Sequence, residues 1–163
     1  MVEVKRIADQ SQRAFEGDAW HGPSLMAILE GVTATQASAR PFPDAHSIWE
    51  LVQHIAAWEQ AGVRRLGGDP AKLSDDEDWP RVTDTSEAAW QQTKKILSSN
   101  HNEFADAISK LDDARLDGPI VESSATVYVT LHGIVQHTLY HAGQIAILKK
   151  ALGEGWKHER TGE

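Results

Sequence analysis

The stretch that most constrains this chain runs from about Ala125 to Leu152, where one helical period holds until Gly153 stops it. Its opening residues, TVYVT, are β-branched and read locally as strand. The longer helical period overrides that weak local preference. A helix of this length needs partners to cover its apolar side, so the rest of the chain has to supply other helices.

Three more helical stretches are visible. The first covers about residues 3–16, breaks at Gly17-Asp18 and resumes after Gly22-Pro23 as SLMAILEGV, one interrupted region with proline just inside the second piece. The second starts at SIWE, residues 47–50, a capping box in which Ser47 caps the helix and Glu50 reaches back to it. Ile48, Leu51, Val52, Ile55 and Leu66 follow at helical spacing, and Gly67-Gly68 ends the run. The third covers about Thr85 to Leu111, with Trp90, Leu97, Phe104 and Ile108 on its apolar side. Between the second and third lies a long acidic loop, GGDPAKLSDDEDWP, with Trp79 as its anchor. The connections are longer than a simple antiparallel bundle uses, which permits crossovers between parallel neighbours. The expected architecture is an all-α four-helix bundle, up-down-down-up, as a single domain over residues 1–163.

Composition narrows the function classes. The formal charge is −8, with no run of Lys and Arg, which argues against direct binding to nucleic acid. The apolar runs fall short of the roughly 20 residues a membrane helix needs. The opening MVEVKRIADQ does not read as a signal peptide, so the expected location is cytoplasmic. Without cysteine the chain has no disulfides, no thiolate metal ligands and no sulfur nucleophile of its own.

The long last helix carries HGIVQHTLYH, with His132, His137 and His141 inside ten residues. At about 100° per residue, His137 and His141 lie about 40° apart on the face of Ile134, Ile145, Leu148 and Leu152. His132 falls on the opposite side. Buried imidazoles need partners, either polar neighbours or a shared metal ion. HTLYH lacks the glutamate of a zincin helix, and no glutamate in the chain has a histidine three residues after it, so the di-iron signature is absent. A histidine-only site would need a ligand from another helix.

Among the other histidines, His158 in the polar tail and His101 in SSNHNEF are expected at the surface. His46 belongs to a loop, and His21, at a helix start, is a candidate for lining a pocket. His54 lies mid-helix, about 110° from the centre of the apolar stripe, and periodicity leaves its direction open. Trp20, Trp49, Trp58 and Trp90 are expected in the core rather than as a substrate platform; Trp58, about 40° from His54, is the candidate for a pocket wall. Gln144 lies about 20° from His137 and Tyr140 about 60° from it, where each could meet the site. Glu50 lies one turn before His54 but already has its capping bond.

WHGPSL at 20–25, HSIWELVQHIAAWE at 46–59, DWP at 78–80 and QHTLYHAGQIAILKK at 136–150 together resemble the DinB/YfiT-like family of metal-dependent helical-bundle proteins. The resemblance implies a divalent metal held by His54, His137 and His141, and it is what selects His54. It implies an unusual bundle connectivity and a homodimer. Through characterised relatives, it also implies transfer chemistry on a small-molecule electrophile with a low-molecular-weight thiol as cosubstrate. Gln144 is the candidate to touch metal-bound solvent or substrate. Zinc or nickel suits the histidines, with iron or copper as alternatives. Two other readings remain open: metal-dependent hydrolysis, and a structural or sensory metal in a stress-related binding protein.

Overall fold

The computed structural model describes residues 2–122 and 124–153. His158 lies outside the described residues. Among the described residues there are seven α-helices: α1 (Glu3–Phe15), α2 (Leu25–Leu29), α3 (Ala34–Ser38), α4 (Ile48–Leu66), α5 (Asp75–Asp78), α6 (Glu87–Ser109) and α7 (Val127–Ala151). Among the described residues there is no β-strand. The TVYVT segment is helical from Val127, capped by Thr126.

The four long helices form the bundle, with α1 and α4 each packed against both α6 and α7. Two apolar clusters fix their directions. Val4 and Ile7 of α1, Phe104 and Ile108 of α6, and Val127, Leu131 and Ile134 of α7 share one cluster. Phe15 of α1, Ile48 to Ala56 of α4, Trp90 and Leu97 of α6, and Ala142, Ile145 and Leu148 of α7 share the other. The starts of α1 and α7 therefore meet the end of α6, and α4 begins beside the end of α7. So α1 and α7 run one way, and α4 and α6 the other.

The capping box expected at Ser47 and Glu50 forms in both directions, with Ser47 N–H donating to Glu50 at 2.8 Å. Gly62 allows α4 to approach its neighbours closely: a Cβ there would lie 2.5 Å from Ile134 Cδ1 and 3.2 Å from the Phe104 ring. Trp49 and Trp90 are core residues whose indole N–H groups donate to Thr93 Oγ1 and to the Val32 carbonyl.

The first helical region is interrupted where expected, leaving α1 and α2 as separate helices. Four expectations need correction. A further helix, α3, follows with its own capping box from Thr33 and Gln36. The acidic loop contains α5, capped by Ser74 and Glu77. Trp20 is fully exposed, because it sits in the turn between α1 and α2 and not on either apolar stripe.

His101 is the fourth correction, being only 2% exposed. It lies between Leu97 and Phe104 at four- and three-residue spacing, so helical phase carries it into the core despite its polar sequence neighbours. Its ring stacks on Phe15 with centroids 3.7 Å apart, and its Nδ1 lies 2.9 Å from Glu59 Oε1. Glu59 Oε2 and His101 Nε2 are buried without partners. Burial raises the Glu59 carboxyl above its ordinary pKa, against the opposing pull of its bond to His101.

Candidate metal centre

His54 sits in the middle part of α4, and His137 and His141 lie one turn apart on either side of the midpoint of α7. The α4–α7 contact brings the three rings together, with centroids 4.5 to 4.8 Å apart. His137 Nε2 lies 2.9 Å from His54 Nε2 and 3.1 Å from His141 Nε2. Among the described residues these three form a set whose ligand atoms all fall within 4.8 Å of one another. The direction of His54, open on periodicity, is inward.

The outer nitrogens set the tautomers. His54 Nδ1–H donates to the Asp78 carbonyl at 2.8 Å and lies 3.1 Å from Asp78 Oδ1. His141 Nδ1–H donates to Gln144 Oε1 at 2.7 Å. With both protons on Nδ1, the Nε2 atoms of these two rings present lone pairs to the centre. His137 can donate to at most one of them from its own Nε2, so at least one close N···N approach has no proton to share. Its Nδ1 is buried and without a partner.

Two nitrogens each about 2.0–2.1 Å from one tetrahedral ion are roughly 3.3 Å apart, close to the 2.9 and 3.1 Å between His137 and its two neighbours. The residues therefore fit a divalent cation, with two of the three ligands oriented from behind as metal-binding histidines usually are. Burial, and then the neighbouring His141 and His54, holds His137 down to about 3. His141 is lowered chiefly by burial, opposed by its bond to Gln144. Proton loss at these two rings is a precondition for metal binding.

The acidic segment builds one wall. Asp78 ends α5, and its Oδ1 accepts from Trp58 Nε1–H at 2.7 Å while its carbonyl holds His54. Trp79 lies flat on His54 on one side and on His46 on the other. This segment thus positions His54, a role beyond the anchor expected of Trp79. Trp58 is a pocket wall as expected, 5.8 Å from His137 between ring centroids. A cavity of about 480 Å³ opens on all three histidines, bounded also by Trp58, Asp78, Arg65 and Tyr140.

The remaining sequence candidates lie as follows. Gln144 is at the site, set against the outer nitrogen of His141. Tyr140 is 66% exposed at the cavity rim, with its ring 5.0 Å from that of His141. Glu50 is engaged with Ser47 and Arg40. His132 is turned away from the triad as helical phase requires, but it is half-buried against Tyr128 and not fully solvated. His21 is exposed. Asp78 and Arg65 were missed. Arg65 had a signal, since eleven residues after His54 puts it only about 20° away in helical phase. Asp78 acts through its backbone carbonyl as well as its side chain, and a carbonyl leaves no trace in residue type.

The family model described as the DinB superfamily matches residues 19–145. A search of curated proteins found no match. A solved structure described as a conserved protein of locus from Enterococcus faecalis is similar, with a TM-score of 0.70 and 16% identity. The match covers 93% of this chain and 97% of that one. At that identity the likeness concerns the fold alone. The family match spans most of the chain and includes all three histidines: this protein belongs to the DinB superfamily.

Proposed function

We propose that His54, His137 and His141 hold one divalent metal ion and that the protein is a metal-dependent enzyme, transferring a low-molecular-weight thiol to a small electrophile. Three Nε2 atoms converge on one point while two of the rings fix their outer nitrogens elsewhere, and this convergence carries the reading. Zinc or nickel suits the ligand set, with iron or copper as alternatives. A bound ion supplies Lewis acidity, lowering the pKa of a thiol that joins it.

The chain's own residues supply the setting. Asp78 and Gln144 orient His54 and His141. Trp79 covers one face of His54, keeping water from it. The cavity, about 480 Å³, is large enough to admit a small molecule. Because the chain has no cysteine, the sulfur has to arrive with the cosubstrate. Gln144 lines a neighbouring pocket with His46 and Leu51 and not the cavity at the nitrogens, so its part is to orient His141 from behind. A cavity opening on the nitrogens favours this reading over a purely structural metal. A cytoplasmic homodimer belongs to the same proposal.

Protein purified without a metal-affinity tag should carry about one divalent ion per chain by elemental analysis, as a three-histidine site requires. Metal-free protein, or metal content that survives loss of His137, would sink the reading. Consumption of thiol with an electrophile supports transfer. Turnover of esters or amides without thiol would point instead to hydrolysis.

A further inference from the structure

We infer that Arg65 binds the carboxylate end of the small molecule that the histidine pocket takes in; this rests on the metal-site reading above. Arg65 lines the same cavity as the three histidines, from the α4 face that carries His54 and Trp58. Its guanidinium lies over the Trp58 ring, 5.3 Å from the centroid. Its Nε and Nη2 donate to the Ala71 carbonyl at 3.2 and 2.9 Å. Ala71 is buried, so the head of Arg65 is fixed from behind.

Four other arginines of this acidic chain have carboxylate partners, Arg6 with Glu3, Arg13 with Asp9, Arg40 with Glu50 and Arg64 with Asp69, while half-buried Arg115 donates to the Pro119 and Ile120 carbonyls and lines no part of this cavity. Arg65 has none within ion-pair distance among the described residues, although it is half-buried. A half-buried guanidinium held rigidly at a cavity, with donors to spare, is built to receive an oxyanion from outside the chain. Two of its five N–H groups serve Ala71, and the others remain for a two-oxygen acceptor.

The cavity selects among anions. Asp78 lines it too, so a dianionic phosphate would face a carboxylate with only one arginine to offset both charges. A singly charged carboxylate meets one cation. Its distance from the histidines is bounded by Trp58, whose ring lies 5.3 Å from the guanidinium and 5.8 Å from the His137 ring. At about 1.2 Å per bond, an extended chain of no more than about nine bonds spans that gap.

Cobalt-loaded full-length protein allows a direct test, because a thiol joining cobalt gives a visible charge-transfer band. Mercaptohexanoate and mercaptohexanol are the probes, equal in length and differing in the terminal charge. The wild-type chain should bind the carboxylate at least about tenfold more tightly, the difference expected from charge-assisted hydrogen bonds. Arg65→Met should bring the two to within about twofold, with cobalt content and mercaptohexanol affinity unchanged. Arg65→Lys keeps the charge but loses the fork, and should retain part of the preference even if the methionine variant folds poorly. Equal affinities in the wild type, or a preference untouched in both variants, would overturn the inference. Parallel weakening of both probes would also overturn it, since that marks Arg65 as only a clamp on residues 67–80. Absence of any cobalt band in the wild type would instead overturn the metal reading, and this inference with it.

Discussion

The indole of Trp79 lies flat against the imidazole of His54, with ring centroids 3.8 Å apart and planes 7° from parallel. The other face of Trp79 carries His46, 3.6 Å away, so a three-ring stack runs from the surface to the proposed metal ligand. The segment after α4 is therefore part of the site.

Replacing Trp79 with leucine removes the cover from His54 and leaves a gap beside it. The side chain is only partly buried, so a cost of about 2 kcal/mol is expected, below that of a fully buried tryptophan. Thermal unfolding should show a lower midpoint, and a chelator should strip the metal faster than from the wild type. An unchanged stripping rate would mean that the stack does not shield the site.

His137→Ala should lower metal affinity by at least about a hundredfold, beyond the 10–100-fold typical of lost orienting partners. Chelation should lower the melting point of the loaded wild type, by about 3–4 kcal/mol of stability at 100 to 1,000 times the dissociation constant. The variant's melting point should not respond. In metal-free protein the substitution should cost little or even stabilise, because it removes an imidazole held neutral among others with an unpartnered Nδ1.

Gln144 is the acceptor for His141, and its removal separates two roles. Gln144→Leu should weaken metal binding about 10–100-fold, as second-sphere losses do. Gln144→Glu, which keeps an acceptor, should restore most of the affinity. If the leucine variant keeps full metal affinity yet loses turnover, Gln144 acts on substrate and not through His141.

Glu59 gives a pH signature away from the site. Its folded-state pKa is raised by burial, so the folded chain holds a proton that the unfolded chain releases above its ordinary value near 4.5. That contribution is present at low pH and lost as pH rises through the folded pKa. Glu59→Gln keeps the acceptor for His101 and removes the titration. Denaturant unfolding should find it more stable than the wild type at pH 8, by about 1–3 kcal/mol, with the gap closing toward pH 5. A gap that widens as pH falls would contradict this.

Much of the bundle was legible because helical phase is local. The capping box at Ser47 and Glu50, the stop at Gly67-Gly68 and the inward pair on α7 all follow from spacing within a few turns. The same rule was present for His101, where the polar flanks of SSNHNEF obscured a core position between Leu97 and Phe104. Trp20 shows the reverse: a residue type common in cores stands in a turn with nothing to cover it.

The sequence by itself determined an all-α chain, a formal net charge of −8, and two histidines on one helical stripe. Family resemblance then pointed to His54. Only the tertiary structure decided that His54 faces inward, that Asp78 and Gln144 hold two of the histidines from behind, and that Arg65 shares a cavity with the three. Phase specifies which residues share a face of one helix, whereas a metal site needs faces from two helices to meet. That meeting is set by how the bundle packs, including the close approach at Gly62, and by a loop carbonyl that any residue could have supplied.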